Sequence, residues 1–470
     1  DQVLTATRPQ DEREKERAKD YFKQFLESAV ASGPTVAADA ESAIKYWIGQ
    51  LDAKLTAQVN EVIHHPSFQK LEGTWRGLHY LVMNSETGEN LKIRVLNATK
   101  KELARDLEKA VEFDQSTLFK RIYEEEYGQL GGQPYGLLVG DYDFGRGTED
   151  IEFLKKMSGL AAASHAPFVA ASSPKMFGMT DFTELPTFRD MAKIFDSVEY
   201  AAWKSFRDSE DSRYVALTLP RVLARTPYGS KFKSVEAFNF EEAVDGTNHD
   251  KYCWMSASWA YAARTTDAFA QYGWFARTRG VEAGGKVEGL PVHTFPTDEG
   301  DVAMKCPTEI AISDRREFEL SNLGFLPLIH SKGNDFAVFI GAQSCQKPKQ
   351  YFDPEATANA ELSTKFNLML NTSRFAHYLK VMARDKIGSS MELDEVNRWL
   401  NNWIQNYCIA NPESVGEATR AKQPLREAKV EVREVKGKPG SYEAVAYIRP
   451  HFQLESLNVS FRMVSSVPSA

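Results

Sequence analysis

The stretch GLLVGDYDFGRGTEDIEFLKKMSGLAAASHAPFVAAS, residues 136–172, places a helical pattern between two short apolar runs. The runs at 136–142 and 167–172 have the length of strands, and the apolar spacing at 148–163 is that of a helix. The same alternation of strands and helices extends from about residue 90 to residue 345. It predicts an α/β fold in which helices cover at least one sheet.

Further elements of this central region follow from the same patterns. Other apolar runs predict strands at 91–97, 308–313, 324–329 and 335–342. Other helices are predicted at 99–110, 186–207 and 251–272. The segment from Val281 to Met304 is rich in glycine and polar residues, which predicts a long loop.

The N-terminal residues predict an extended arm followed by three helices. Residues 1–9 form the arm, a charged run from Asp11 to Lys19 enters the first helix, and the second covers residues 38–63. The third follows Pro66, with Ser67 as its cap. The second and third helices carry apolar residues on one face, namely Ile44, Trp47, Ile48, Leu51 and Leu55, then Phe68, Leu71, Trp75 and Leu78.

Two helices are predicted between residues 354 and 410. The second opens on Ser389-Ser390-Met391-Glu392, a capping-box pattern in which Ser389 and Glu392 satisfy the first free amides of the helix. Its apolar residues form one stripe that must be buried against something, and they are Leu393, Val396, Trp399, Leu400, Trp403, Ile404 and Tyr407.

The last 50 residues predict three short strands. Residues 429–433 alternate valine with charged residues, a turn follows at 436–440, and a second strand covers 442–449. Residues 457–463 alternate again and predict the third strand. Short terminal strands leave edges with unpaired backbone groups, and such edges have to be blunted, covered or paired with another chain. This pattern therefore points beyond a monomer.

The composition excludes several classes of protein. The chain has 470 residues, 42% of them hydrophobic, and 57 Lys and Arg against 65 Asp and Glu give a net charge of −8. Such a composition is typical of a globular protein, and the acidic balance argues against nucleic acid as a partner. The length suggests two or three domains. We expect an N-terminal arm with helices at 1–63, an α/β body at 64–350 and a C-terminal assembly region at 351–470.

The compartment is predicted to be the cytoplasm. The chain shows no signal peptide, and no apolar run approaches the roughly 18 residues of a membrane span. The cysteines are isolated and form no metal-binding pair, so we expect small core residues in a reducing environment; they are Cys253, Cys306, Cys345 and Cys408.

The sequence contains only incomplete matches to catalytic and nucleotide-binding motifs. Residues 280–287 match G-x-x-x-x-G-K, but Val287 stands where a phosphate loop needs Ser or Thr, and no helix is predicted to follow. The glycine-rich run 128–136 precedes a strand, whereas a dinucleotide fingerprint follows one. His165 and His377 lie in apolar stretches that favour hydrogen-bonded core histidines. These patterns predict no catalytic residue, cofactor or metal, although an α/β enzyme with a site assembled from distant residues stays an alternative.

Nine segments in order resemble the large sheath subunit of the bacterial type VI secretion system, the TssC/VipB family. The resemblance covers about nine-tenths of the chain, from about residue 40 to the end. The segments are HHPSFQKLEGTWRGL (64–78), YGQLGGQPYGLLVGDYDF (127–144), SHAPFVAASSPKMFG (164–178), SEDSRYVALTLPRVLARTPYG (209–229), LPVHTF (290–295), PTEIAISDRREFELSNLGF (307–325), QKPK (346–349), RFAHYLKVMARDKIG (374–388) and PLREAKVEVREVKGKPGSYEAVAYIRPHF (424–452).

The resemblance implies a structural protein with several partners. The family's large subunit pairs with a small sheath subunit (TssB/VipA family), and the heterodimers stack with neighbouring copies into a phage-tail-sheath-like helical tube. That tube surrounds an inner tube of Hcp rings, stands on a baseplate and contracts to propel the inner tube into a target cell. The AAA+ ATPase ClpV recycles the contracted sheath, chiefly through the small subunit. No nucleic acid and no direct membrane insertion are expected.

The resemblance also implies roles for particular residues. Strands of neighbouring subunits complete shared sheets in the family, which assigns this role to Val430, Val432, Val435, Tyr442, Ala444, Ala446 and Ile448, and by extension to the arm from Val3 to Thr7. The helices at 354–410 would pack within the monomer, against the small subunit or toward the inner tube. Candidate tube-facing cations are Lys380, Arg384 and Lys386.

Overall fold

A computed structural model describes residues 11–31, 40–110, 112–297, 299–386, 391–434 and 442–451. Five sequence predictions lie outside the described residues. They are the arm from Val3 to Thr7, the capping serine Ser389, the position of Val435, the turn at 436–440 and the third C-terminal strand at 457–463.

The described elements alternate along the chain, as the sequence predicts. The α-helices of at least five residues are α1 (Glu12–Ala31), α2 (Ala40–Ile63), α3 (Pro66–Met83), α4 (Lys100–Lys109), α5 (Thr148–Ser164), α6 (Met191–Phe195), α7 (Ala201–Asp208), α8 (Ala257–Tyr272), α9 (Asp314–Asn322), α10 (Pro354–Ser363), α11 (Phe366–Asp385), α12 (Leu393–Gln405) and α13 (Glu417–Lys422). The strands are β1 (Leu138–Phe144), β2 (Phe168–Ser172), β3 (Val215–Leu219), β4 (Val222–Leu223), β5 (Trp254–Met255), β6 (Lys286–Val287), β7 (Thr294–Pro296), β8 (Val302–Met304), β9 (Leu326–Pro327), β10 (Ile329–His330), β11 (Ala337–Val338), β12 (Leu425–Glu434) and β13 (Tyr442–Pro450).

A four-stranded parallel sheet in the order β1-β2-β3-β9 organises the central region. Every residue of β2 and β3 is buried, which is typical of parallel strands covered on both faces. Phe168 and Val215 belong to the apolar cluster that includes Leu154 of α5, whereas Val169 and Ala216 belong to the cluster that includes Ala260 of α8. The sheet is therefore the middle layer between two helical layers, and the α/β prediction is confirmed.

Local signals explain why the helix and strands nearest the quoted stretch were predicted well. Helix α4 begins with a capping box in which Thr99 and Glu102 bond each other's backbone amides. Helix α5 ends at His165, whose left-handed φ of 47° terminates the helix before β2. The start of α4 and the end of α5 therefore fall within two residues of their predicted positions, because the signals that fix them are local.

Two predicted strands are wrong. Residues 91–97 have no strand pairing, and residues 308–313 contribute only an isolated bridge between Thr308 and Val222. A strand needs a backbone partner as well as a suitable sequence. In the described part of the chain Leu91 accepts a backbone bond only from nearby Gly88, and residues 92–97 make no backbone hydrogen bond. Conversely, the predicted long loop at 281–304 contains β6, β7 and β8.

Several predicted helices are shorter or divided. The stretch 186–207 divides into α6 and α7, which are joined through a 3₁₀ helix at Val198–Tyr200, and the 3₁₀ helix before α6 contains Pro186. Residues 354–410 form three helices rather than two. A π-helix at Lys120–Tyr127, which the sequence did not predict, precedes the turn into β1. The capping box of α12 is formed by Glu392 and Glu395, so Glu392 is the cap and not the third helical residue.

The chain divides into two compact units, one of Asp1–Phe68 with Thr226–Lys251 and one of Gln69–Arg225 with Tyr252–Ala470. In the first unit, Asn60 of α2 donates to the carbonyl of Glu241 and accepts from the amide of Ala243. His64 lies 3.4 Å from the carboxylate of Glu242. These bonds fasten the long loop 226–251 to the end of α2. The three-domain division expected from the sequence stays a prediction.

Much of the apolar face of the N-terminal helices is exposed. Ile48, Leu51 and Leu55 of α2 are 49%, 47% and 44% exposed, and Trp75 of α3 is 62% exposed. Exposed apolar residues along one helix, such as those of α2, are characteristic of surfaces that contact another molecule. No described helix is long and apolar enough to cross a membrane.

Candidate assembly site

The C-terminal strands form an antiparallel hairpin. Strand β12 pairs with β13 from Glu434 opposite Tyr442 to Glu427 opposite Arg449. The side chains of Val430 and Val432 are 1% and 8% exposed, since they face the helices beneath the hairpin. The alternation of charged residues and valine in the sequence thus predicted the strand and its buried face correctly.

The outer edge of β12 is covered by amide side chains of α12. Asn401 accepts from the backbone amide of Val430 at 2.9 Å and donates to its carbonyl at 2.6 Å. Asn397 bonds Val432 in the same way, with distances of 2.7 Å and 3.4 Å. Gln405 adds a bond to the carbonyl of Ala428 at 2.7 Å. We call these three side chains the amide ladder, and they take the place of a neighbouring strand.

The amide ladder determines which edge of the hairpin is open. Backbone groups of a strand point alternately to its two edges, and those of Val430 and Val432 point to α12. Lys429 and Glu431 therefore bond β13, where their partners are Tyr447 and Val445. The alternate residues of β13 must face the opposite edge, and they are Ala444, Ala446 and Ile448. In the described chain no strand pairs with this edge.

The apolar stripe of α12 is buried by the chain itself. Leu400 and Ile404 are 1% and 0% exposed, and they belong to a cluster with Phe375 of α11 and the valines of β12. Trp274 stacks on Phe375 with ring centroids 4.1 Å apart. Packing within the monomer therefore accounts for the apolar face of α12. It is one of the three arrangements that the sequence left open for the helices at 354–410.

The three candidate tube-facing cations each have a partner within the chain. The ammonium of Lys380 lies 3.5 Å from the ring centroid of Tyr127, and the guanidinium of Arg384 donates to the carbonyls of Tyr127 and Gln129. The ammonium of Lys386 lies 4.8 Å from the ring centroid of Trp399. All three side chains are half-buried. Their contacts stabilise the end of the π-helix and the approach to α12, and a contact with another molecule stays a prediction.

The two histidines predicted as core residues are packed together. The Nε2 atom of His377 bonds the carbonyl of Ser164 at 3.0 Å, and its ring lies 6.3 Å from that of His165. Burial is the main cause that lowers the pKa of each to about 4, assisted by the nearby cation Lys380. Both imidazoles are therefore neutral at pH 7, and they serve packing.

We expect acid to destabilise the protein through this histidine pair. The folded pKa near 4 lies below the ordinary value of 6.5, so the unfolded chain binds protons first and unfolding becomes easier as pH falls from 6.5 toward 4. In His165→Asn, which suits the left-handed backbone, the melting temperature should fall less over that range than in the wild type. His79→Asn, at an exposed site, is the control. Equal slopes in all three proteins would contradict the assignment.

The glycine-rich match at 280–287 does not have the surroundings of a phosphate loop. No helix follows Lys286, whose ammonium pairs with Glu288 and lies 4.3 Å from the ring centroid of Phe336. Within the described residues, no group of three or more His, Cys, Asp or Glu side chains could hold a metal ion. All four cysteines are free, and Cys253 and Cys345 are buried.

Comparison with known proteins assigns the family. Residues 45–346 match the model for the EvpB/VC_A0108 tail sheath N-terminal domain, and residues 355–467 match the model for the tail sheath gpW/gp25-like domain of the same family. The chain belongs to this tail sheath family. It is a structural subunit of a contractile sheath, and the resemblance of the nine segments is confirmed.

The chain is also similar to individual proteins. The chain is similar to the type VI secretion system sheath protein TssC1 of Pseudomonas aeruginosa, with 54% identity over 470 residues, 100% of this chain and 94% of that protein. Among solved structures, it shows a TM-score of 0.36 and 11% identity to the anti-feeding prophage baseplate, over 67% of this chain and 66% of that one. The contracted helical sheath of the same prophage gives 0.29 and 12%, over 66% of each chain.

The amide ladder is the part of this site that the sequence reasoning missed. Asn397, Asn401 and Gln405 are four residues apart on α12 and follow one flank of the apolar stripe. That spacing was a visible signal. It was overlooked because polar residues beside an apolar stripe are usually exposed to solvent.

Proposed function

We propose that this sheath subunit co-assembles with a small sheath subunit and with neighbouring copies of itself into a helical tube around an Hcp inner tube. The observation that carries the proposal is the open edge of β13 on a hairpin whose other edge is closed by the amide ladder. A strand from a neighbouring subunit can add to the backbone groups of Ala444, Ala446 and Ile448. The arm from Val3 to Thr7 is a candidate for that strand.

The geometry of strand addition suits a sheath. The hairpin is bonded to α12, so a strand added at its edge connects the neighbour to the body of this subunit. A head-to-tail contact of this kind does not have to close into a ring, and repetition then produces a helical filament. The exposed apolar residues Ile48, Leu51 and Leu55 of α2 offer an additional contact surface.

Contraction needs no chemical step in this chain under the proposal. An extended lattice relaxes to one that buries more surface, and the hairpins keep neighbouring subunits connected while the bodies move. The chain therefore acts as a structural protein and not as an enzyme. We further propose that it works in the cytoplasm, on a baseplate, and that ClpV recycles the contracted sheath through the small subunit.

A weak and reversible contact with the inner tube would involve Lys380, Arg384 and Lys386. Half-buried cations at a surface contribute little binding energy each, which allows the tube to be released. Because each cation also has a partner within the chain, substitutions there must be checked for folding before an effect on the inner tube is inferred.

Electron microscopy tests the proposal directly. The chain is expressed alone and together with the small subunit of the same system, and both samples are stained and imaged. We expect long hollow tubules when the partner is present and none without it. Discrete soluble particles in both samples would contradict the proposed assembly and would return attention to the enzyme alternative.

A further inference from the structure

Cys306 differs from the other three cysteines of the chain in its surroundings. Cys253 and Cys345 are 2% and 0% exposed, and burial is the main cause that raises the pKa of each thiol to about 12. These two are the small core residues that the sequence predicted. Cys306 and Cys408 are only half-buried, so neither is enclosed by the core.

A histidine side chain contacts the thiol of Cys306. Cys306 follows β8, His330 ends β10, and the two side chains are hydrogen-bonded to each other. The Nε2 atom of His330 donates to the carbonyl of Asn334 at 2.8 Å. Nδ1 is therefore the ring nitrogen that remains for the thiol, and in the neutral imidazole it is an acceptor. The hydroxyl of Thr308 lies 3.2 Å from the same sulfur.

The contact has the parts of an activated thiol, namely a nucleophile, a base and a group that orients the base. An acceptor nitrogen beside a thiol takes its proton and leaves a thiolate next to an imidazolium. The carbonyl of Asn334 fixes the orientation of the His330 ring and keeps accepting from it when the ring is charged. The thiolate of Cys306 would therefore form in place, without movement of the backbone.

The pKa values of both groups shift in the direction of this ion pair. Burial would raise the pKa of the Cys306 thiol, but its hydrogen bonds with His330 and Thr308 outweigh burial, so the pKa lies below its ordinary value. Burial would lower the pKa of His330, but the hydrogen bonds with Cys306 and the carbonyl of Asn334 outweigh it, so that pKa lies above its ordinary value.

The other ionisable side chains around this segment are engaged elsewhere. The ammonium of Lys305 lies 5.0 Å from the ring centroid of Tyr252, whose hydroxyl is 2.7 Å from the Nδ1 atom of His293. Glu309 forms an ion pair with Arg221 beside β4. His330 is therefore the charged group that acts directly on the Cys306 thiol.

Cys408 is the natural comparison, because it is also half-buried but has no base beside it. Its thiol donates to the carbonyl of Ile404 at 3.6 Å, just beyond the C-terminal end of α12. A thiolate there would face backbone carbonyls and the negative end of the helix dipole, which disfavours it. Burial is the main cause that raises the pKa of Cys408.

We propose that Cys306 is a modification site that exchanges with small-molecule disulfides, such as glutathione disulfide. Its thiolate attacks one sulfur of the disulfide, so a bond forms between these two sulfurs and the original S–S bond breaks. The Cys306 sulfur is oxidised and the departing sulfur is reduced. The departing thiolate takes the proton that His330 removed from Cys306. A dithiol reductant reverses the step by the same route.

A metal ion is a poorer occupant of this site than a disulfide. Within the described residues, no group of three or more His, Cys, Asp or Glu side chains could hold one, so Cys306 and His330 lack a third ligand. The proposal goes beyond the sheath function and does not depend on it, because the exchange involves a single chain.

The wild-type chain contains its own control for the test. The full chain is reduced, freed from reductant and mixed with glutathione disulfide at about pH 7, and mass spectrometry quantifies the modified peptides over time. We expect Cys306 to react at least about tenfold faster than Cys408, because a larger fraction of its thiol is ionised. Equal rates at the two half-buried cysteines would overturn the proposal.

The pH dependence of the rate separates an activated thiol from one that is merely exposed. The rate at Cys306 should rise with a midpoint below that of an ordinary thiol. Glutamine cannot take the proton, so in His330→Gln the rate at about pH 7 should fall about three- to tenfold, and the midpoint should rise. At alkaline pH, where both thiols are ionised, His330→Gln should match or exceed the wild type.

Two further variants assign the signal. Cys306→Ser should abolish the fast modification, whereas Cys408→Ser should leave it unchanged, and the melting temperature of each variant confirms folding. A wild-type midpoint at the ordinary thiol value, or a midpoint that His330→Gln does not move, would overturn the proposal. None of these measurements uses tubules, so their outcome is separate from that of the proposed assembly.

Discussion

Replacement of Ala446 by proline is expected to reduce tubules to background while the isolated chain stays folded. The amide of Ala446 faces the open edge of β13, so its loss removes no bond of the hairpin. Proline is tolerated on edge strands in this position, and we expect the free energy of unfolding to change by no more than about 1 kcal/mol. An added strand would lose one donor and meet the pyrrolidine ring in every subunit of the lattice, so small losses multiply along the tube.

Two comparisons make this test specific to the edge. Ala446→Val keeps the amide and should assemble like the wild type. Val445→Pro instead removes a donor to β12 and should destabilise the hairpin itself, by about 3 kcal/mol. Tubule length and yield are measured by electron microscopy and by pelleting, and folding by thermal melting. Normal tubules from Ala446→Pro would show that no strand adds at this edge.

Proline at Val430 or Val432 would act on a different contact. In the structure both amides are bonded to Asn401 and Asn397, so proline there would break the contact of the hairpin with α12. A loss of assembly in those variants would thus report damage to the monomer, and Ala446 is the more informative position.

The sequence predicted those elements whose signals are local. The unit of β1, α5 and β2 was placed within two residues because apolar runs, glycines and caps act over a few positions. The two strands of the terminal hairpin were predicted by strict alternation, which placed Val430 and Val432 on the buried face of their strand.

The predictions that failed concern features that depend on residues far away in the sequence or on another molecule. Residues 91–97 have the composition of a strand, but whether they pair depends on a chain segment that the sequence alone cannot place. The apolar residues of α2 and α3 have helical spacing, which indicates that a face is apolar but not what covers it, and Leu51 and Trp75 are exposed. Exposed apolar residues such as these are expected on a subunit that contacts other subunits.

A large loss of stability is expected for Asn401→Leu, which removes one member of the amide ladder. Leucine has a similar volume and excludes water, so the amide and carbonyl of Val430 would be left buried without partners. Each of the two unsatisfied groups costs about 1–3 kcal/mol, which predicts a loss of about 2–6 kcal/mol in the free energy of unfolding. Val430 is 1% exposed, so solvent cannot replace the lost bonds.

Asn402 provides a control at the adjacent position. Its side chain is exposed and makes no hydrogen bond in the described structure, so Asn402→Leu should change the free energy of unfolding by less than about 0.5 kcal/mol. Urea unfolding followed by tryptophan fluorescence compares the variants, because Trp274, Trp399 and Trp403 lie in or against the cluster beneath the hairpin. Hydrogen exchange at Val430 should accelerate in Asn401→Leu alone. If both variants unfolded like the wild type, the amide ladder would not be what holds the hairpin to α12, and the open edge of β13 would lose its rigid support.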